Sequence, residues 1–235
     1  MTLYYTTNAE SVPKETYFYS RLQFDIAGNM LSAFKPIMKK DANGSGMIWN
    51  TPYSQFVRGE ITLGRTWIFG RNSGQSIATR LLAGAGYAYG NSSTLPFEKH
   101  FYAGGSNSLR GWHTRSIGPG TSPMDKAVTI PNQTGDMRLE ANLELRFPLF
   151  WLLHGALFFD AGNIWVKREL ATEKNFGEGI AFNTGLGVRL DIQFVVVRFD
   201  WGIKLREPSV GRWYGANDWF KPGGYAFQFG IGYPF

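Results

Sequence analysis

From Met137 to Phe147 the chain sets apolar Met137, Leu139, Ala141, Leu143, Leu145 and Phe147 against polar Arg138, Glu140, Asn142, Glu144 and Arg146, without a break. Strict alternation of this kind is a β-strand with one greasy and one charged face. The next strand, Leu152 to Asn163, places Leu153, Leu157 and Phe159 on one face and Ala156, Phe158, Asp160 and Gly162 on the other. Phe182 to Asp191 follows with Asn183, Gly185, Gly187, Arg189 and Asp191 on its polar side. In Val195 to Leu205, the apolar Val195, Val197, Phe199, Trp201, Ile203 and Leu205 oppose Arg198, Asp200 and Lys204. Upstream strands are read at Tyr17 to Phe34, Phe56 to Phe69 and Ser76 to Tyr89, and the chain closes with Tyr225 to Phe235, giving eight strands in all.

Alternation alone serves a soluble sandwich as well as a membrane barrel, and the connections separate the two. They run long (35 to 55), short (70 to 75), long (90 to 136), short (148 to 151), long (164 to 180), short (192 to 194) and long (206 to 224). Outer-membrane barrels alternate in this way, with tight turns on one side and long loops on the other. Strands of about ten residues also suit a tilted membrane strand better than the usual globular strand of about 5–6 residues. Trp67, Phe69, Tyr87, Tyr89, Trp165 and Tyr233 fall near strand ends, where interfacial aromatic girdles form.

Composition agrees. With 235 residues the chain is long enough for one large all-β domain, and 29 glycines with 16% aromatics suit sheet better than helix. No stretch approaches the roughly 18 consecutive apolar residues of a transmembrane helix. The absence of cysteine removes disulfides and thiolate metal sites and suits a protein that crosses an oxidising space. The net charge of +6 is scattered through the strands rather than gathered into a stripe or tail, which argues against nucleic-acid binding. Residues 1 to 20 show no signal peptide. The apolar scrap Thr2 to Thr6, followed by a turn around Asn8 to Lys14, reads as the end of an earlier strand. A half strand cannot stay unpaired in lipid, where each unsatisfied backbone group costs several kcal/mol. Residues 1–235 are therefore expected to be the C-terminal part of a larger antiparallel, up-and-down transmembrane β-barrel.

The long connection at about 90–136 contains GGSNSLRGW, Gly104 to Trp112, whose single charge is Arg110. If it folds back into the barrel, the arginine needs a carboxylate partner. FYAGGSNSLRGW followed by SIGPG resembles the loop that enters the lumen in the BamA and TamA family of outer-membrane assembly proteins, where an Arg-Gly pair is flanked by an apolar residue and an aromatic. Here these are Leu109, Arg110, Gly111 and Trp112; the family more often has Phe or Tyr in the last place. The family's Phe-x-Asp-x-Gly motif matches Phe158, Asp160 and Gly162, and Glu144 stands where a glutamate of the intervening strand joins the arginine. The wording of the loop and of LEANLELRFPLF resembles the TamA-like lipoprotein branch of Bacteroidetes more than proteobacterial BamA.

The resemblance implies that these are the last eight of sixteen strands, with Arg110 held by Glu144 and Asp160. A guanidinium's rigid fork of donors suits two carboxylates better than the point charge of lysine. The glycines at 104, 105 and 111 are read as places where the loop passes close to the wall. Glu140, Arg138 and Arg146 are read as ordinary solvated lumen residues, and Arg198 and Asp200 have no assigned role. Phe227, Phe229, Ile231 and Tyr233, ending in Phe235, form the outward face of a terminal aromatic strand whose C-terminus is periplasmic.

The implied role is insertion or export of proteins at the bacterial outer membrane through a barrel with a weak seam between its first strand and Tyr225 to Phe235, which Gly230 and Gly232 would weaken further. The implied partners are outer-membrane lipids, nascent outer-membrane or secreted proteins, and periplasmic or lipoprotein accessory subunits. No enzyme constellation, cofactor site or metal site is read in the chain. His100, His113 and His154 are isolated, and neither a nucleophile elbow nor a phosphate loop is present. A two-partner secretion pore, a passive porin or surface antigen, and a barrel fused to an enzyme domain outside this chain remain as alternatives.

Overall fold

The computed structural model describes residues 1–8, 15–70, 74–123, 132–167, 176–192 and 195–235. The expected turn at Asn8 to Lys14 lies almost wholly outside these residues, as do parts of the connections at 70–75, 90–136, 164–180 and 192–194. The described chain is all-β. Its strands are β1 (Thr2–Thr6), β2 (Tyr17–Ala27), β3 (Met47–Ile48), β4 (Thr51–Pro52), β5 (Phe56–Phe69), β6 (Gln75–Ala88), β7 (Met137–Phe150), β8 (Leu153–Trp165), β9 (Ala181–Asp191), β10 (Val196–Glu207), β11 (Arg212–Trp213) and β12 (Tyr225–Ile231).

One antiparallel sheet of ten strands runs in chain order from β1 through β2 and β5 to β10, and both β11 and β12 pair with β10. Strands β3 and β4 form a separate small hairpin in the connection after β2. The scrap at Thr2–Thr6 pairs with β2 over its whole length, from Thr2↔Gln23 to Thr6↔Tyr19. No helix among the described residues is long and apolar enough to cross a membrane.

Burial inverts the pattern of a water-soluble sheet. One outer row runs Ile77–Leu145–Leu157–Leu186–Trp201–Phe227 across six strands, and Leu157, Leu186 and Phe227 of that row stay exposed. The residues buried on the opposite face include Arg80, Glu140, Glu144, Asp160, Arg189, Arg198 and Asp200. Exposed large apolar and buried charged residues are the informative exceptions to ordinary burial. Together they describe a wall that is greasy outside and polar inside.

Several strand ends shift from the expectation by one to three residues, and two strands stop well short of it. The strand read as Tyr17 to Phe34 stops at Ala27, because Gly28 takes a left-handed φ of 81° and starts a short helix at Asn29–Ser32. A side chain at Gly28 would stand 2.8 Å from Gln55 Cα, so the turn requires glycine. The last strand, read as Tyr225 to Phe235, stops at Ile231, and Gly232 (φ 82°) turns the chain away from the sheet. Phe227, Phe229 and Ile231 do lie on the exposed face. Phe235 leaves it, with the guanidinium carbon of Arg80 5.0 Å from its ring centre, while Tyr233 stays 42% exposed with the guanidinium carbon of Arg146 4.3 Å from its ring centre. Trp165 also departs from its expected girdle role, being 1% exposed at the end of β8.

The outer row gives a direct test of the lipid-facing assignment. In bilayers, Leu186→Arg should cost about 2–4 kcal/mol of folding free energy, the depth-dependent penalty for a cation on a barrel's lipid face. Urea titration of the full-length protein in lipid vesicles measures it, and an unchanged midpoint would place Leu186 away from lipid.

Candidate functional site

The register of the sheet builds the site row by row on the inner face. Arg80, Asn142, Asp160, Asn183 and Lys204 pair across β6 to β10 in one row. The next row is Ala78, Glu144, Phe158, Gly185, Gly202 and Ala226, and the one after it runs from Ser76 through Arg146, Ala156, Gly187 and Asp200 to Gln228. Asp160 and Glu144 are therefore one row and one strand apart, both on the inner face. A single guanidinium can reach both.

The loop between β6 and β7 delivers that guanidinium. Its base is a bridge in which Phe101 and Gly135 exchange backbone hydrogen bonds at 2.8 and 2.9 Å. Above the bridge the chain doubles back, with Gly105 N–H donating to Trp112 O at 2.8 Å. Phe101, Ala103, Leu109, Trp112 and Ile117 bury together with Ile164 and Ala181 of the wall, so the loop has a small apolar core of its own. Gly104 and Gly105 take φ values of 90° and 97°. Their nearest neighbours are His113 and Thr114 of the same loop, so these two glycines make the turn and do not approach the wall. Gly111 does approach it, since a side chain there would stand 2.8 Å from Asn183 Cβ.

Arg110 forks onto Asp160, with Nε to Oδ2 at 3.0 Å and Nη2 to Oδ1 at 2.9 Å, while its third nitrogen, Nη1, donates a short bond to Glu144 Oε2. The Arg110 backbone N–H also donates to Asp160 Oδ2 at 3.2 Å. All three side chains are fully buried. Bidentate arginine–carboxylate pairing is among the strongest hydrogen-bonding geometries. Burial by itself would lower the arginine's pKa, but Asp160 and then Glu144 reverse that, and the net direction is upward. The guanidinium also lies 3.6 Å above the Phe158 ring centre, so one of its faces rests on the aromatic of the Phe-x-Asp-x-Gly motif. Gly185, beside Phe158 in the row, leaves room for that ring. Gly162 lies close to the β7 backbone, where a side chain would stand 2.9 Å from Glu140 Cα.

Several participants had no assigned role, or the wrong one, in the sequence reading. Asn142 and Asn183 flank Asp160 and donate to its two oxygens at 2.9 Å each, completing the carboxylate's acceptor capacity. Ser108 Oγ donates to Glu140 Oε1, and Asn142 Nδ2 donates to Ser108 O at 3.1 Å. Glu140 is not solvated: it is fully buried between Arg138 Nε (2.8 Å) and Arg80 Nη2 (3.4 Å). Arg146 Nε binds Glu144 Oε1 at 2.8 Å, and Arg189 bridges Glu144 (3.2 Å) to Asp200 (2.6 Å). Arg198 binds Asp200 at 3.1 Å. Four guanidiniums, those of Arg110, Arg146, Arg189 and Arg198, thus share the carboxylates of Glu144, Asp160 and Asp200. The surplus positive charge meets main-chain oxygens, with Arg198 donating to Ser106 O at 2.8 Å and Arg146 to Phe235 O at 3.2 Å. The in-register asparagines were the signal available in the sequence, but their use depends on strand offsets that alternation does not fix.

No group of three or more histidines, cysteines or acids that could hold a metal occurs among the described residues. His100 sits 3.5 Å from Asp136 at the base of the loop.

Residues 6–235 match the model of the Omp85 superfamily domain. The chain belongs to the Omp85 superfamily. Over 119 residues it is 27% identical to the outer membrane protein assembly factor BamA of Neisseria meningitidis serogroup B (strain ATCC BAA-335 / MC58), covering 48% of this chain and 15% of that protein. Its fold is similar to the crystal structure of BamA from Haemophilus ducreyi lacking POTRA domains 1–3, with a TM-score of 0.55 and 15% identity over 98% of this chain and 52% of that one. The chain therefore spans about half of that structure and a smaller share of the Neisseria protein. In this Omp85 domain the Arg-Gly pair of the loop and the Phe-x-Asp-x-Gly strand meet in one buried contact.

Removing Arg110 leaves two buried carboxylates without their shared cation. Breaking a buried pair in this way typically costs about 3–5 kcal/mol. In the full-length protein, Arg110→Ala should lower the temperature at which the barrel loses its compact band on cold gels. Arg110→Lys should fall between Ala and wild type, because it keeps the charge but not the fork. Wild-type behaviour of both variants would show that the loop is not anchored through this contact.

Proposed function

We propose that the chain is the C-terminal part of an outer-membrane β-barrel that inserts or exports other proteins, working without an enzymatic step or a cofactor. The reading rests on the similarity to BamA, and the observation that carries it is the buried contact of Arg110 with Glu144 and Asp160, which fastens a long loop against the inner wall. In this reading Leu109, Arg110, Gly111 and Trp112 are the loop's docking segment, Glu144 and Asp160 are its anchors, and none of them is catalytic.

The working edge is β12. It offers seven paired residues to β10, whereas β9 and β10 share ten paired positions. Gly230 adds no side-chain packing to that strand. A short, weakly packed terminal strand is the element from which a seam opens, and an exposed strand edge recruits another strand through main-chain hydrogen bonds. The proposed partners are outer-membrane lipids on the greasy face, unfolded outer-membrane or secreted proteins at the seam, and accessory periplasmic or lipoprotein subunits. The C-terminus lies on the periplasmic side.

Full-length protein reconstituted in phospholipid vesicles should accelerate the folding of a urea-denatured outer-membrane barrel, read as the shift to its compact band on gels. A folding rate equal to that in empty vesicles, accompanied by steady ion conductance, would identify a passive porin instead.

A further inference from the structure

The inner face of β12 carries Ala226, Gln228 and Gly230, and each meets a different part of the loop or of the arginine cluster. Ala226 pairs with Gly202 of β10, where a side chain would stand 2.5 Å from Arg110 C and 2.7 Å from Gly111 N. The loop backbone therefore lies directly on β10 beside the last strand. Gln228 Nε2 donates to Trp112 O at 2.8 Å and to Arg110 O at 3.4 Å, straddling the Arg-Gly-Trp turn. Gly230 lies beneath Arg198, with its missing side chain leaving room for Nε and Nη2 at 2.5 and 2.7 Å. Arg198 in turn donates to Ser106 O and to Asn107 Oδ1 of the loop. Beyond Gly232, the Phe235 ring lies under Arg80, Arg146 and Arg110, at 5.0, 5.8 and 6.0 Å.

The loop's ion pairs go to β7 and β8, while these contacts go to β12, three strands beyond β8 along the sheet. The loop is a strut between the middle of the wall and its last strand. We infer that Gln228 is a positioning residue that couples the two, so that seating of the Arg110 loop holds β12 on the sheet and release of β12 loosens the loop. This rests on the reading of β12 as the working edge, and it adds what controls that edge: any movement of β12 away from the sheet as the seam opens must also break the Gln228 bridge.

The chemistry selects an amide. Its N–H groups face two main-chain carbonyls, which can only accept. A carboxylate of the same shape would set its own acceptors against them, and methionine would fill the space without donating. Coupling of this kind is reciprocal, since two sites that bias one equilibrium must each feel the other.

Hydrogen exchange followed by mass spectrometry on the full-length protein in lipid nanodiscs tests this. Gln228→Glu should speed exchange both at 225–231 and across the main chain at 105–112, with Gln228→Met giving a smaller change in the same two segments. In both variants, amides of the β7–β8 ladder should keep wild-type protection. Arg110→Lys, changed at the far end of the strut, should also speed exchange at 225–231. Faster exchange in only one of the two segments, uniform loosening of the whole sheet, or a silent β12 in Arg110→Lys would each overturn the coupling. The client-folding assay separates the two proposals. Failure of the wild-type protein there removes the assembly role, while the exchange pattern decides the strut independently.

Discussion

A guanidinium buried beyond the reach of water depends entirely on what surrounds it, and the arrangement around Arg110 follows from that requirement. Taking an ion out of water costs several kcal/mol even after relaxation, and only near-ideal geometry with every remaining donor and acceptor satisfied offsets it. Here Asp160 accepts from both arms of the fork and from the arginine's own backbone N–H, while Asn142 and Asn183 complete it from the neighbouring strands. Glu144 accepts the third arm and is itself shared with Arg146 and Arg189. A loop held in this way is fixed to within the tolerance of several hydrogen bonds at once.

The same requirement explains the glycines of the inner wall. Gly185 leaves space for the Phe158 ring beneath the guanidinium, Gly187 for the Arg189–Asp200 pair, and Gly202 for the backbone of Arg110 and Gly111. A side chain at Gly202 would enter the loop's footprint, and one at Gly185 or Gly187 would displace the wall side chains that face the loop's arginine cluster. Glycine weakens a strand by its entropy and its lack of packing. In this wall the space is taken by the Phe158 ring, by the Arg189–Asp200 pair and, at Gly202, by the loop backbone itself. Wall and loop are thus mutually dependent, and the short last strand joins the same network through Gln228 and Arg146.

Alternation along each strand was sufficient to separate the two faces of the sheet. The outer apolar row and the inner charged rows lie where the period of two places them, and the choice of Glu144 and Asp160 as partners for Arg110 follows from their shared phase together with the motif resemblance. Asn142 and Asn183 were on the right face but without a role, because phase assigns a residue to a side of the sheet and not to a row. Arg138, Glu140 and Arg146 look solvated from local pattern alone, because nothing local shows that Glu140 and Arg146 are buried in ion pairs beneath the loop.

The sequence by itself determined the inner and outer sides of the strands, since these depend on local period, while the pairing of the loop arginine with Glu144 and Asp160 is what the motif resemblance implied for residues of that phase. Only the tertiary structure decided where the strands end, which rows meet, and that Phe235 turns inward beyond Gly232 toward the arginines rather than continuing the outer face. Those outcomes depend on strand offset and on a left-handed turn whose favourable contacts lie far along the chain. A long-range contact can redirect a terminal strand whose local pattern, continued to Phe235, still reads as β.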